Sequence, residues 1–135
     1  MDWFAKMGSP MIRILLAEDD EVMREYLVRA LTAAGYQVTD VDRGTAAIPY
    51  LESGVYDLLL SDIVMPEMDG IELAQNAAKL SPHTQIMFIT GFAAVQLKAG
   101  ESVPQAKLLS KPFHLKDLVA QVDEMFAGRK ISEQN

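Results

Sequence analysis

Residues 57–70 read DLLLSDIVMPEMDG, and their order decides how the rest of the chain is read. A leucine-rich run as short as a strand reaches Ser61, and Asp62 stands at its end. The turn-rich Pro66-Glu67-Met68-Asp69-Gly70 follows, and from Ile71 to Leu80 the residues Leu73, Ala74, Ala77 and Leu80 recur on one helical face. A strand that is apolar at every position, not at alternate ones, is buried on both faces, as strands of a parallel sheet are.

The same unit recurs on either side. Upstream, IRILLA (residues 12–17) is another buried-strand run; Glu18, Asp19, Asp20 and Glu21 follow it, and then Val22, Met23, Tyr26, Leu27, Ala30 and Leu31 at helical spacing up to a stop at Gly35. Tyr36 to Val41 alternates like a strand, and Gly44 to Glu52 has helical composition and ends at Gly54. Pro49 lies inside that helix, where proline removes a backbone bond and costs about 3 kcal/mol, so a kink or a late start or break is expected there. Downstream, QIMFIT (85–90) is a strand, residues 93–98 a short helix before a Gly100–Pro104 loop, Ala106 to Ser110 a fifth strand, and Leu115 to Phe126 a final amphipathic helix. Strand and helix thus alternate five times, which gives an α/β domain with one parallel sheet and helices on both faces. The pattern alone does not choose a strand order.

Composition narrows the function. With 135 residues, half of them hydrophobic, the chain fits one domain with a real core. We place the domain at residues 11–128, with 1–10 a tag or disordered N-terminal extension and 129–135 a polar tail. The net charge of −7 repels nucleic-acid phosphates. The absence of cysteine excludes disulfides and thiolate zinc sites and is compatible with a cytoplasmic location. No apolar run is long enough for membrane insertion.

In an open parallel sheet, ligands bind beyond the carboxyl ends of the strands. Here those ends carry Glu18 and Asp19, Asp62, Thr90 and Lys111. Like charges about 5 Å apart repel by about 3 kcal/mol at an effective dielectric near 20, so carboxylates that converge call for a cation. Hard oxygen ligands without His or Cys suit Mg²⁺. Asp62 is the candidate nucleophile, able to form an aspartyl-phosphate. Lys111 can pair with a phosphate oxygen and Thr90 can donate a hydrogen bond to another. Each also has a plainer reading: Asp20 and Glu21 as solvated acids at a helix start, Thr90 as a strand-end threonine, Lys111 as a surface lysine.

Together these residues resemble the receiver domains of two-component response regulators, the CheY-like family, from about Met11 to Gly128. The motifs that carry the resemblance are ILLAEDDE (14–21), LLLSDIVMPEMDG (58–70), FITG (88–91) and LLSKPF (108–113). The resemblance implies a flavodoxin-like (βα)5 fold with strand order 2-1-3-4-5. It implies Mg²⁺ held by Glu18, Asp19, Asp62 and the Val64 backbone carbonyl, Asp62 as phosphoacceptor, and Thr90 and Lys111 as the phosphoryl-binding pair. It also raises Lys111-Pro112 as a candidate cis peptide. Within the family, DIVMPEMDGIELA, IMFITGFAAV and LSKPFHLKDLV are similar to α-proteobacterial stand-alone receivers. That likeness implies phosphate from a histidine kinase or histidine phosphotransferase. It also implies partnership with ClpX of the ClpXP protease, controlling proteolysis of cell-cycle regulators.

One position departs from the family. Where many receivers carry an aromatic switch residue, three before the lysine, this chain has Leu108, which has neither ring nor hydroxyl. Phe92 is the nearest replacement, or else a packing residue, and His114 is either a partner contact or part of the helix start. The expected mechanism is a two-state switch. Phosphorylation draws Thr90 and Lys111 inward and shifts the face built from the fourth helix, fifth strand and fifth helix; a swing from 1:99 to 99:1 needs about 5.5 kcal/mol of differential binding. The domain is then a signalling phosphoacceptor, its only catalysis its own phosphorylation and dephosphorylation. Alternatives are a receiver fragment of a longer regulator, a binding-only module, and an aspartyl-phosphate phosphatase. The last generally needs a second acid two residues after the nucleophile, where this chain has Val64.

Overall fold

Each segment read as a strand becomes one: β1 (Arg13–Ala17), β2 (Gln37–Val41), β3 (Leu58–Asp62), β4 (Gln85–Thr90) and β5 (Lys107–Ser110). In the computed structural model, which describes residues 11–128, they form one sheet in the order β2-β1-β3-β4-β5. All four pairings are parallel. The helices between and after them are α1 (Glu21–Ala33), α2 (Gly44–Glu52), α3 (Gly70–Leu80), α4 (Ala93–Ser102) and α5 (Leu115–Met125). Architecture and strand order are those the resemblance implied. The readings made for residues 1–10 and 129–135 lie outside the described residues. Among the described residues no helix is long and apolar enough to cross a membrane.

The sheet sorts its side chains by parity. Ile14, Leu16, Leu58, Leu60, Met87 and Ile89 point to the face covered by α1 and α5, where Leu27, Leu31, Leu118, Val122 and Phe126 meet them. Leu15, Ala17 and Leu59 point to the other face, against Ala47 and Leu51 of α2 and Leu73 and Ala77 of α3. Further along that face, Ile86 and Phe88 pack on Ala74 of α3 and Ala99 of α4. Central β3 is buried at all five positions, whereas edge strand β2 is buried only at Val41.

Two expectations need correction. The helix holding Pro49 neither starts late nor breaks; it runs from Gly44 to Glu52. Pro49 and Thr45, whose carbonyl loses its partner, are both exposed, so water can satisfy that carbonyl, while Ala47 and Leu51 anchor the buried side. The helix expected over 93–98 continues through Gly100 to Ser102. Ala99 and Val103 are buried against Ile86 and Phe88, and that packing outweighs the roughly 1 kcal/mol helical penalty of glycine.

Candidate functional site

Register brings the strand ends to one rim. Ala17 pairs with Ser61, Asp62 with Ile89, and Thr90 with Ser110. Glu18, just beyond β1, therefore lies beside the end of β3, and Lys111, just beyond β5, reaches the same end across β4 with its side chain. The carboxylates of Glu18, Asp19 and Asp62 each offer an oxygen within 4.8 Å of the others. Lys111 Nζ lies 3.0 Å from Asp62 Oδ2 and 3.6 Å from Glu18 Oε1. Thr90 is 1% exposed; its Oγ1 accepts from the Phe92 amide at 3.2 Å, and its carbonyl accepts from the Lys111 amide at 2.8 Å. The Val64 amide donates to Asp62 Oδ1 at 3.3 Å. The Lys111-Pro112 peptide is cis.

The charges are not balanced within the protein. Glu18 is 1% exposed, and its Oε1 has no hydrogen-bond partner among the described residues. Burial, reinforced by the charge of Asp62, pushes its carboxyl up to about 7. Burial acts to lower Lys111, but its hydrogen bond to Asp62 and the charges of Asp62 and Glu18 outweigh that and hold the ammonium above its ordinary range. Three carboxylates facing one lysine, with a buried Glu18 oxygen that meets Lys111 only as a 3.6 Å ion pair and accepts no hydrogen bond among the described residues, form a donor set of hard oxygens that fits Mg²⁺.

Other predicted residues are spread more widely. Asp20 caps α1, its Oδ1 accepting from the Met23 amide at 2.9 Å, and Glu21 is in the first turn. Phe92 precedes α4 and is 61% exposed, so its ring is not core packing. Leu108 pairs with Phe88 in register and is partly exposed. His114 occupies the N-cap position of α5, exposed and without a side-chain cap bond. An apolar cleft of about 630 Å³, lined by Met23, Tyr26, Pro112, Phe113 and Leu115, opens beside Lys111.

The sequence profile of the response regulator receiver domain matches residues 14–123. The chain belongs to this receiver domain family. It is 58% identical over 116 residues to the response regulator receiver protein CpdR of Brucella abortus, covering 85% of this chain and 97% of that protein. A segment of the sensor kinase CckA of the same organism is 39% identical over 116 residues, 83% of this chain but 12% of the kinase. A receiver protein from Sinorhizobium medicae superposes with a TM-score of 0.79 at 34% identity, over 89% of this chain and 98% of that one. The response regulator TrrA of Thermotoga maritima, solved in complex with Mg²⁺-BeF, does so with a TM-score of 0.76 at 28% identity, over 84% and 98%.

Two residues of this receiver rim escaped the sequence reading. Gly70 begins α3 against the backbone that follows β3; a Cβ there would lie 2.2 Å from the Asp62 carbonyl oxygen. Its place after a turn was visible, but not that contact. Arg24 reaches back from α1 to the Glu18 carbonyl. The only signal was an arginine in the first turns of a helix, six residues after Glu18, which is too common to single out.

Proposed function

We propose that this receiver accepts a phosphoryl group on Asp62 from a histidine kinase or histidine phosphotransferase and thereby switches its protein contacts. The observation that carries this reading is the meeting of three carboxylates and Lys111 at the end of β3. An ionised Asp62 oxygen attacks the phosphorus of phosphohistidine, the P–N bond breaks, and the ring leaves as neutral imidazole, its proton being the one already carried on the other ring nitrogen, giving an acyl phosphate. Lys111, already paired with Asp62, stays beside the acceptor and binds a phosphoryl oxygen. The Thr90 hydroxyl, whose oxygen accepts from Phe92, keeps its own proton to donate. Glu18, Asp19, Asp62 and the Val64 carbonyl hold Mg²⁺, which when bound offsets the charge of the transferred group. The apolar cleft beside Lys111 suits a protein donor more than a small polar one.

The test is phosphorylation with a small phosphodonor and Mg²⁺. Wild type gains one acid-stable, base-labile phosphoryl group and Asp62→Asn gains none; labelling of the variant at equal stoichiometry would rule out Asp62 as acceptor.

The likeness to CpdR supports a finer reading: a stand-alone cytoplasmic regulator that, unphosphorylated, engages ClpX and directs ClpXP proteolysis of cell-cycle regulators. Pull-downs with wild type and Asp62→Ala before and after phosphodonor treatment test it. Retention of a ClpX-type unfoldase by the variant under both conditions, and its loss from phosphorylated wild type, is expected; equal retention by both forms would count against the switch.

A further inference from the structure

We infer that Arg24 is the positioning residue of the acidic rim, fixing Glu18 for the cation, and that Asp40 on the edge strand holds Arg24 in place. The inference rests on the proposed Mg²⁺ site. Glu18 is held by its own atoms on three sides: its amide donates to the Val41 carbonyl at 3.1 Å, its carbonyl accepts from Arg24 Nη1 at 2.8 Å, and its Oε2 accepts from the Asp20 amide at 3.2 Å. Oε1 accepts no hydrogen bond among the described residues; it is buried and faces Lys111 Nζ at 3.6 Å. Arg24 Nε is 3.2 Å from Asp40 Oδ2, and the arginine side chain is 17% exposed. One planar guanidinium therefore ties α1, the loop after β1 and the end of β2 together with two different nitrogens.

The role is geometric. Arg24 Nη1 bonds the Glu18 backbone and not its carboxylate, so it leaves both carboxylate oxygens to their other uses. A lysine keeps the charge but is a single point donor and cannot hold a carbonyl and a carboxylate in one fork. Partners that orient metal ligands typically change affinity 10–100-fold when removed. Because Arg24 acts through the ligand's backbone, the lower end of that range applies.

Titration calorimetry with Mg²⁺, paired with thermal unfolding of the metal-free protein, tests this. Arg24→Lys is expected to raise the Mg²⁺ Kd about tenfold. Asp40→Asn shifts it in the same direction, and the double variant goes little beyond Arg24→Lys alone, because both act through one link. The rate of labelling by a small phosphodonor recovers in the single variants as Mg²⁺ is raised. An unchanged Kd in Arg24→Lys, with only the metal-free Tm lowered, overturns the inference in favour of a purely structural arginine; so do two fully additive shifts. A wild-type chain that binds no Mg²⁺ overturns the proposed function itself, and this inference with it.

Discussion

Glu18 is the residue under most electrostatic tension. Its carboxyl sits near 7 in the folded chain against an ordinary 4.5. The folded state therefore binds its proton more tightly than the unfolded state does. Stability from this group is fully present below about 4.5, falls as pH rises toward 7, and is flat above. Metal-free protein should lose Tm across that window, and Mg²⁺, which binds the ionised form, should restore more Tm at the alkaline end. Glu18→Gln should raise the metal-free Tm at pH 8 and abolish the Mg²⁺ response; a Tm independent of pH in wild type would mean the buried charge is compensated. The carboxylates beside Asp62 were legible in the sequence because each ends or follows an apolar run. The Glu18 oxygen without a hydrogen bond was not, since only the packed rim buries that side of the carboxyl.

At the scale of elements, the junction between β3 and α3 is the most tightly built. Gly70 donates its amide to the Ile63 carbonyl at 2.8 Å, and an added Cβ would meet both the Asp62 carbonyl oxygen and Ile63 Cα at 2.8 Å or less. Gly70→Ala should therefore destabilise the fold by about 3 kcal/mol or more, measured by urea unfolding, because backbone cannot step aside as a side chain can. A change under about 0.5 kcal/mol would show that the helix simply slides outward. The inner strands β1, β3 and β4 could be read from sequence because burial on both faces leaves an uninterrupted apolar run, whereas edge strand β2, buried only at Val41, showed itself by alternation. The extent of α4 could not: its only buried helical residue is Ala99, so the helix has little apolar periodicity and is held by what it touches at its end. The continuity of α2 across Pro49 was hidden for the opposite reason, since the broken bond faces solvent while the sequence shows only the proline.

For the molecule as a whole, five buried positions in α3 against one in α4 set up a gradient of stability across the sheet. Hydrogen exchange should find the amides of β3 among the slowest and those of α4 the fastest of the five helices; uniform protection of both would remove the gradient. The parallel strand order decides which residues share the rim, and it came from family resemblance, because alternating β and α units fit more than one winding. A link such as Arg24 to Asp40, which crosses from α1 to β2, becomes visible only once that winding is known. The complete enclosure of β3 then has a mechanical meaning: the acceptor stands on a post that cannot yield, so a newly arrived charge does its work by pulling on the looser parts around it.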